Sequence, residues 1–410
     1  MFNLSIRRKK QFNRLLGITV LIVSIAALYA FGIYGLGQVV GTPPGVLRGG
    51  DFRFFYTAGQ IFLNGQNPYN PEIFSSAFQE LTGETVDLTL AYPPQFAPLC
   101  MLFALLDYSS ARIAFTLLNI LAVSCLAFFT MRLVTDAENP RPASFLPVTR
   151  WLIPALIVGN PFTANVFWFG QATLIAGAVM VGGWYCARRN KPFLAGLLLG
   201  LSTFKPQFFI FPALWLLLDR QWKILAFTGI TSLTLSSYFL ITLGPIYAIK
   251  DWLHALSIYQ SASVNTLGSI HVTGVPSALT SLGLNMPETF VLMIGGAALT
   301  FLFWLGQSRL CSDDILGILM SIQICLYAHN YDIVLLAPLI SALWLHIAHR
   351  HKLLAIAAIT LLFICLPRQF LRPLNIPILE HLRAILILFA FISLVVLSWQ
   401  QKKQLEAKII

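Results

Sequence analysis

Apolar runs recur along the whole chain and are separated by short polar or basic clusters. A helix crosses the hydrocarbon of a bilayer in about 20 apolar residues. On that scale the pattern predicts spans near 15–40, 109–133, 150–168, 170–187, 192–204, 207–219, 222–243, 289–307, 314–328, 331–348, 352–367 and 384–400, about twelve in all. Several are shorter than a full crossing, as tilted or broken helices around a cavity are. The stretch 93–106 is short and contains Pro93-Pro94, and is expected to be interfacial or re-entrant. Between 193 and 218 a hairpin about Lys205-Pro206 is favoured over one kinked helix, because basic residues stand at both ends.

Composition agrees with lipid as the solvent. The chain of 410 residues is 57% hydrophobic and 10% charged, with a mean hydropathy of +0.75. A soluble domain carries about 25% charged residues, so this one cannot cover a water-facing surface. The fold class expected is an all-α polytopic membrane protein, with residues 1–410 forming a single transmembrane domain. No fixed-period repeat or low-complexity segment divides it.

The net charge of +11 changes the picture only through its placement. Most Lys and Arg fall in the N-terminal cluster, at Arg132, Arg141 and Arg150, at Arg188, Arg189 and Lys191, and at Lys402, Lys403 and Lys408. Threading the spans in order puts these on one side, which makes both termini cytoplasmic. The large polar insertions 41–92 and 244–288 then lie outside, in a chain expected in an inner or plasma membrane. No basic stripe is interleaved with aromatics, so nucleic acid is not an expected partner; membrane lipid is. The six cysteines form no C-x-x-C pair and sit mostly in apolar segments, as small packing residues. The basic N-terminus followed by apolar residues 15–40 is too long for a signal peptide and reads as a retained helix.

Five polar stretches break the apolar pattern. In GGDFRFFYTAGQIFLNGQNPY, Gly49 to Tyr69, the glycines break the chain, Asp51 opens a helix and Gly65 ends it. Asp51, Phe55, Ala58 and Phe62 share a face, one suited to the membrane surface. Asp51 is a favoured helix cap, and a carboxylate kept ionised there also meets the need of a general base. In AYPPQFAPL, Ala91 to Leu99, two prolines fix an extended turn. In NPFTANVFWFGQ, Asn160, Asn165, Gln171 and Trp168 offer amides and a flat aromatic face. Those groups suit a pyranose, or bond helix to helix. Lys205 in STFKPQ is the only cation of a long apolar region. A charge at that depth costs several kcal/mol, which makes it a site candidate with phosphate as its counter-ion, or a snorkelling lysine. In YAHNYD, Tyr327 to Asp332, His329 can bond a phosphate and Asp332 can orient it, or the stretch is a capped polar turn. All five fall on the outer side of a topology drawn from charge alone.

Taken in order, D-F-x-x-x-Y-x-A-G from Asp51, G-x-N-P-Y ending at Tyr69, Y-P-P from Tyr92, G-Q at Gly170-Gln171, A-G-L-L-L-G with K-P at Lys205-Pro206, and H-x-Y-D from His329 cover most of the chain. In these motifs it resembles glycosyltransferase family 87, polyprenol-phosphate-mannose-dependent transferases of a GT-C-like fold with a helical first outer loop. The resemblance implies inverting transfer of a hexose or pentose, mannose first, from a polyprenyl-phosphate donor to a lipid or glycan acceptor on the non-cytoplasmic face. Asp51 matches the catalytic aspartate and His329 a functional histidine. Lys205, His329, Arg48 and Arg53 are the expected phosphate-binding groups. Tyr56, Tyr69, Tyr92, Asn160, Trp168, Gln171, Asn330 and Asp332 are those for sugar and acceptor. No Rossmann fingerprint is present, which fits a lipid-linked donor. No cofactor is expected. A divalent metal would find only Asp51 and the dispersed Glu72, Glu84 and Asp87, so none is predicted. Two rivals stay open: a lipid or solute transporter, which broken helices also suit, and an O-antigen-ligase-like transferase, whose Arg- and His-rich late loop would be Arg368, Arg372, His381 and Arg383.

Overall fold

The computed structural model describes residues 2–34, 50–136, 146–347, 350–366, 371–374 and 376–407. Arg48 and Arg368 lie outside the described residues. The chain is helical, as its apolar runs require. In order the helices are α1 (Phe2–Leu28), α2 (Gly50–Leu63), α3 (Pro71–Thr82), α4 (Ala97–Ala104), α5 (Tyr108–Thr135), α6 (Leu146–Val158), α7 (Pro161–Phe169) and α8 (Thr173–Arg188). There follow α9 (Pro192–Ser202), α10 (Pro206–Leu218), α11 (Trp222–Leu243), α12 (Pro245–Ser261), α13 (Val275–Ser281), α14 (Thr289–Leu305) and α15 (Ile315–Leu326). The chain ends with α16 (Ala337–Ile347), α17 (His351–Cys365), α18 (Pro377–Glu380) and α19 (Leu382–Glu406).

Five segments among the described residues are long and apolar enough to cross a bilayer: Gln11–Ile33, Tyr108–Thr135, Trp222–Leu243, Asn330–Ile347 and Leu382–Glu406. The pair Arg150–Val158 and Pro161–Phe169, bent by 44°, makes a sixth if it is one span. The other expected spans are shorter helices. Four of them have an end at the same polar junction: α8 begins there, α9 ends there, α10 begins there and α15 ends there. Polar groups at those ends leave no apolar residues with which to continue.

The glycines of A-G-L-L-L-G serve packing. A methyl added at Gly196 would stand 2.4 Å from the Phe227 Cβ, and one at Gly200 would stand 2.5 Å from the Thr231 Cβ. Small residues four apart let two helix backbones approach closely. Residue numbers rise together along this contact, so α9 and α11 run parallel and α10 must run back between them. The chain therefore turns at Lys205-Pro206.

Helix α2 departs from expectation. Phe55, Ala58 and Phe62 are buried, not spread on a membrane surface. Phe55 meets Phe96 edge-on at 4.9 Å and Phe62 meets Phe239 at 5.1 Å. The reason is Gly59, where an added Cβ would lie 2.2 Å from the Cys100 carbonyl oxygen. Only a hydrogen lets α4 lie directly across α2, and α4 takes the place that lipid would have. Gly59→Ala is expected to destabilise by at least the 1–3 kcal/mol typical of overpacking, read as a lowered unfolding midpoint in detergent. Gly295→Ala, with nothing within 4 Å, is the neutral control.

Two further contacts frame the junction. Val272–Thr273 (β1) pairs antiparallel with Ala328–His329 (β2), Val272 opposite His329. This short ladder pins the loop after α12 against the YAHNYD turn. At the opposite ends of α5, α8 and α15, polar contacts close the bundle: ion pairs of Arg189 with Asp136 and of Arg188 with Asp313, and a hydrogen bond between His346 and Asp314 at 2.8 Å.

Candidate functional site

Asp51 is the second residue of α2, whose first-turn amides favour a carboxylate. The side chain is half-buried and accepts a hydrogen bond from Gln171 Nε2. Gln171 is held in turn, since the Tyr92 hydroxyl donates to its Oε1 at 2.8 Å. Gly170, in the left-handed region at φ +65°, ends α7 and swings Gln171 toward α2. Pro93-Pro94 sets Tyr92 in extended chain beside Phe96, with the rings stacked at 4.4 Å. Three stretches far apart in sequence thus form one chain of groups, Tyr92 to Gln171 to Asp51. Burial raises the Asp51 pKa above the usual carboxylate value, while the Gln171 hydrogen bond and the charges of Lys205 and Arg53 oppose that rise.

Beside this chain lies a buried ion pair. Lys205 Nζ donates to Asp332 Oδ1 at 2.9 Å and to Thr173 Oγ1 at 2.6 Å. Thr173 donates to the same carboxylate oxygen at 2.9 Å, and the His329 backbone N–H donates to Asp332 Oδ2 at 3.3 Å. The ammonium also faces the rings of Tyr92, Phe208 and Tyr331 at 5.0–5.6 Å. The lysine that looked solitary in sequence is therefore neutralised from 127 residues away. Its counter-ion within the protein is a carboxylate, because a charge this deep is stable only when paired.

His329 completes the wall. Its Nε2 lies 3.1 Å from the Tyr259 hydroxyl, and its ring stacks on Tyr331 at 5.3 Å. Burial lowers its pKa to about 4, so the imidazole is neutral at pH 7 and offers a hydrogen bond, not a charge. Tyr259 comes from the last turn of α12, in the insertion whose role the sequence did not assign.

Other expected residues are placed elsewhere. The Tyr56 hydroxyl donates to the Leu106 carbonyl at 2.8 Å, and that of Tyr69 to the Tyr92 carbonyl at 2.8 Å. Both spend their polar atom on backbone and hold α2 to its neighbours. Asn160 caps α7, accepting from the Phe162 N–H at 2.8 Å. Asn330 ties loops together, accepting from Thr273 and donating to the Ile270 carbonyl. Arg53 bonds Glu84 at 3.0 Å and lies over the Phe78 ring. Trp168 lines a groove together with Arg112 and Phe167, and Tyr92 is not among its lining residues. In the late loop, Arg383 donates to the Ile364 and Leu366 carbonyls at 2.8 and 2.7 Å, capping α17. Among the described residues no three His, Cys, Asp or Glu side chains gather as a metal would need. Thr173 escaped the sequence reading because nothing in its apolar surroundings distinguishes it; only its place two residues after Gln171 hints at a role.

A model of glycosyltransferase family 87 matches residues 90–367, well over half the chain. The chain belongs to glycosyltransferase family 87. The resemblance carried by the ordered motifs is thus borne out. The match takes in Tyr92, Gln171, Thr173, Lys205, Tyr259, His329 and Asp332, while Asp51 lies ahead of it and owes its place in the site to the bond with Gln171. A mycobacterial relative is the polyprenol-phosphate-mannose-dependent alpha-(1-2)-phosphatidylinositol mannoside mannosyltransferase of Mycobacterium tuberculosis. It is 26% identical over 265 residues, which cover 61% of this family 87 chain and 57% of that relative. The chain thus matches little more than half the length of that relative.

Proposed function

We propose that this family 87 chain is an inverting transferase of GT-C-like architecture with about twelve spans. It moves a sugar, mannose first, from a polyprenyl-phosphate donor to a lipid or glycan acceptor. The observation that carries this reading is the Asp51 carboxylate, oriented by Gln171 and set where helix ends open a polar junction in an otherwise apolar bundle. Asp51 takes the proton of an acceptor hydroxyl as that oxygen bonds the anomeric carbon. The bond from that carbon to the donor phosphate oxygen breaks, and polyprenyl phosphate leaves with the electron pair. His329 and Tyr259 supply hydrogen bonds to the sugar or its phosphate. Lys205, already paired with Asp332, sets the field around Asp51. The basic residues Arg132, Arg188 and Arg189 lie at the far ends of α5 and α8 from Asp51, which supports a non-cytoplasmic site and cytoplasmic termini.

Purified protein in lipid nanodiscs is expected to transfer labelled mannose from a polyprenyl-phosphate donor to a lipid extract, and not from a nucleotide sugar. Use of the nucleotide donor alone would overturn the proposal. Gln171→Leu strands both Asp51 and Tyr92. Losing a buried hydrogen-bond partner costs about 1–3 kcal/mol, so transfer is expected to slow roughly 10–100-fold. The acid limb of the rate should also move to higher pH, because the bond lost is one that lowers the Asp51 pKa. An unshifted limb would show that Gln171 does not orient the base.

A further inference from the structure

The donor needs a place for its phosphate, and among the described residues two of the cations expected to hold it are already paired, Lys205 with Asp332 and Arg53 with Glu84. A different cation lines a groove that Phe52, the residue after Asp51, also lines. Arg112, in the second turn of α5, is half-buried, and its guanidinium has no hydrogen-bond or ion-pair partner among the described residues.

Arg112 lines a groove of about 290 Å³ between α5, α7 and the end of the first span. Phe52 and Gly170, the residues next in sequence to Asp51 and Gln171, are among its lining residues. That side of the groove is therefore one residue in sequence from Asp51 and one from Gln171. One turn before Arg112, Tyr108 stands 5.9 Å from the Phe52 ring, which seats the start of α5 against the start of α2.

The groove is polar on one stripe and apolar on the other. Arg112, Thr116 and Asn119 follow one another at helical spacing along its floor, and the Asn119 Oδ1 is buried without a hydrogen-bond partner. Asn119 is buried and Arg112 and Thr116 are half-buried, and a lipid-facing span has no cause to carry a cation and an amide along one stripe. Ile113, Leu117 and Ile120 run alongside and are exposed, so the groove opens sideways to lipid.

From this arrangement we infer that the groove is the donor-lipid site, with Arg112 holding the phosphate of a polyprenyl phosphate and the prenyl chain leaving past Ile113, Leu117 and Ile120. The inference rests on the proposed transfer reading for the identity of the lipid. Charge complementarity and the lining by Phe52 and Gly170, the neighbours of Asp51 and Gln171, select the occupant. A guanidinium binds a phosphate through paired N–H groups and keeps its charge at every working pH.

The test measures binding of an unglycosylated polyprenyl phosphate to the full chain in nanodiscs, by native mass spectrometry, with phosphatidic acid as competitor. Arg112→Gln is expected to weaken binding about 10–100-fold, the range of one charge-assisted contact. Arg112→Lys should restore part of it, which separates lost charge from lost fold. Thr116→Trp, which fills the groove, should weaken binding as Arg112→Gln does. Gly295→Ala, which lies outside the groove with nothing within 4 Å of the added methyl, should bind as the wild type does. Unchanged binding in Arg112→Gln, or equal competition by phosphatidic acid, would overturn the site. Wild-type sugar transfer with Arg112-independent binding removes the groove and leaves the transfer reading standing. Arg112-dependent binding without any transfer removes the transfer reading and keeps the groove.

Discussion

Asp51→Asn is expected to lower sugar transfer by about 10²–10⁴-fold, the contribution of a positioned general base, while leaving the fold intact. Asn keeps the size of the side chain and an oxygen that Gln171 can still meet. It also remains a good residue at a helix N-terminus. What it loses is the ability to take a proton. The loss of favourable charge near the α2 N-terminus costs about 0.3–1 kcal/mol, too little to unfold the bundle, and circular dichroism with detergent chromatography checks this. The wild-type pH profile tests the same group. Burial raises the Asp51 pKa, and a base is inactive once protonated. Activity should therefore fall with decreasing pH, with a midpoint above the ordinary aspartate value of about 3.9. Equal rates in Asp51→Asn and wild type would reduce Asp51 to a helix cap.

The parts of this site that were legible in sequence are those fixed by local chemistry. Gly65 marks the turn after α2, and it does take the left-handed conformation at φ +68°. Lys205-Pro206 marks a helix break because proline cannot continue the ladder, and the break is there. Partners across the fold were not legible. The carboxylate that neutralises Lys205 comes from Asp332, and no local pattern ties the two. Tyr56 and Tyr69 sit in a motif beside Asp51, yet the turn of α2 sends their phenols to backbone carbonyls. The apolar face of α2 could as well have met lipid as protein, since periodicity shows that a face is buried and not against what. Gly59 decided it by admitting α4. Span lengths suffered from the same ambiguity: short apolar helices such as α9 and α10 are alike whether lipid or protein surrounds them.

The Lys205–Asp332 pair carries the other large expected effect. Asp332→Ala strands a buried ammonium, and breaking one side of such a pair costs about 3–5 kcal/mol. The unfolding midpoint in detergent should drop sharply, and Lys205→Met should do the same by stranding the carboxylate. The double variant Lys205→Met/Asp332→Leu is the informative one. With both charges gone no desolvation penalty is left unmatched, and an apolar replacement of a buried pair is often neutral in stability. Recovery should be large but incomplete, because Asp332 also accepts from Thr173 and from the His329 N–H. Activity separates structure from chemistry in that variant. If the pair only holds α9, α10 and the YAHNYD turn together, a stable double variant transfers sugar at the wild-type rate. If its charges shape the site, transfer stays low although the fold has returned. The second outcome is expected, since Lys205 helps hold the Asp51 carboxylate ionised against its burial. Lys205 lowers the Asp51 pKa more than Asp332 raises it, so the double variant should show an acid limb displaced slightly to higher pH, a shift that a purely structural pair would not produce.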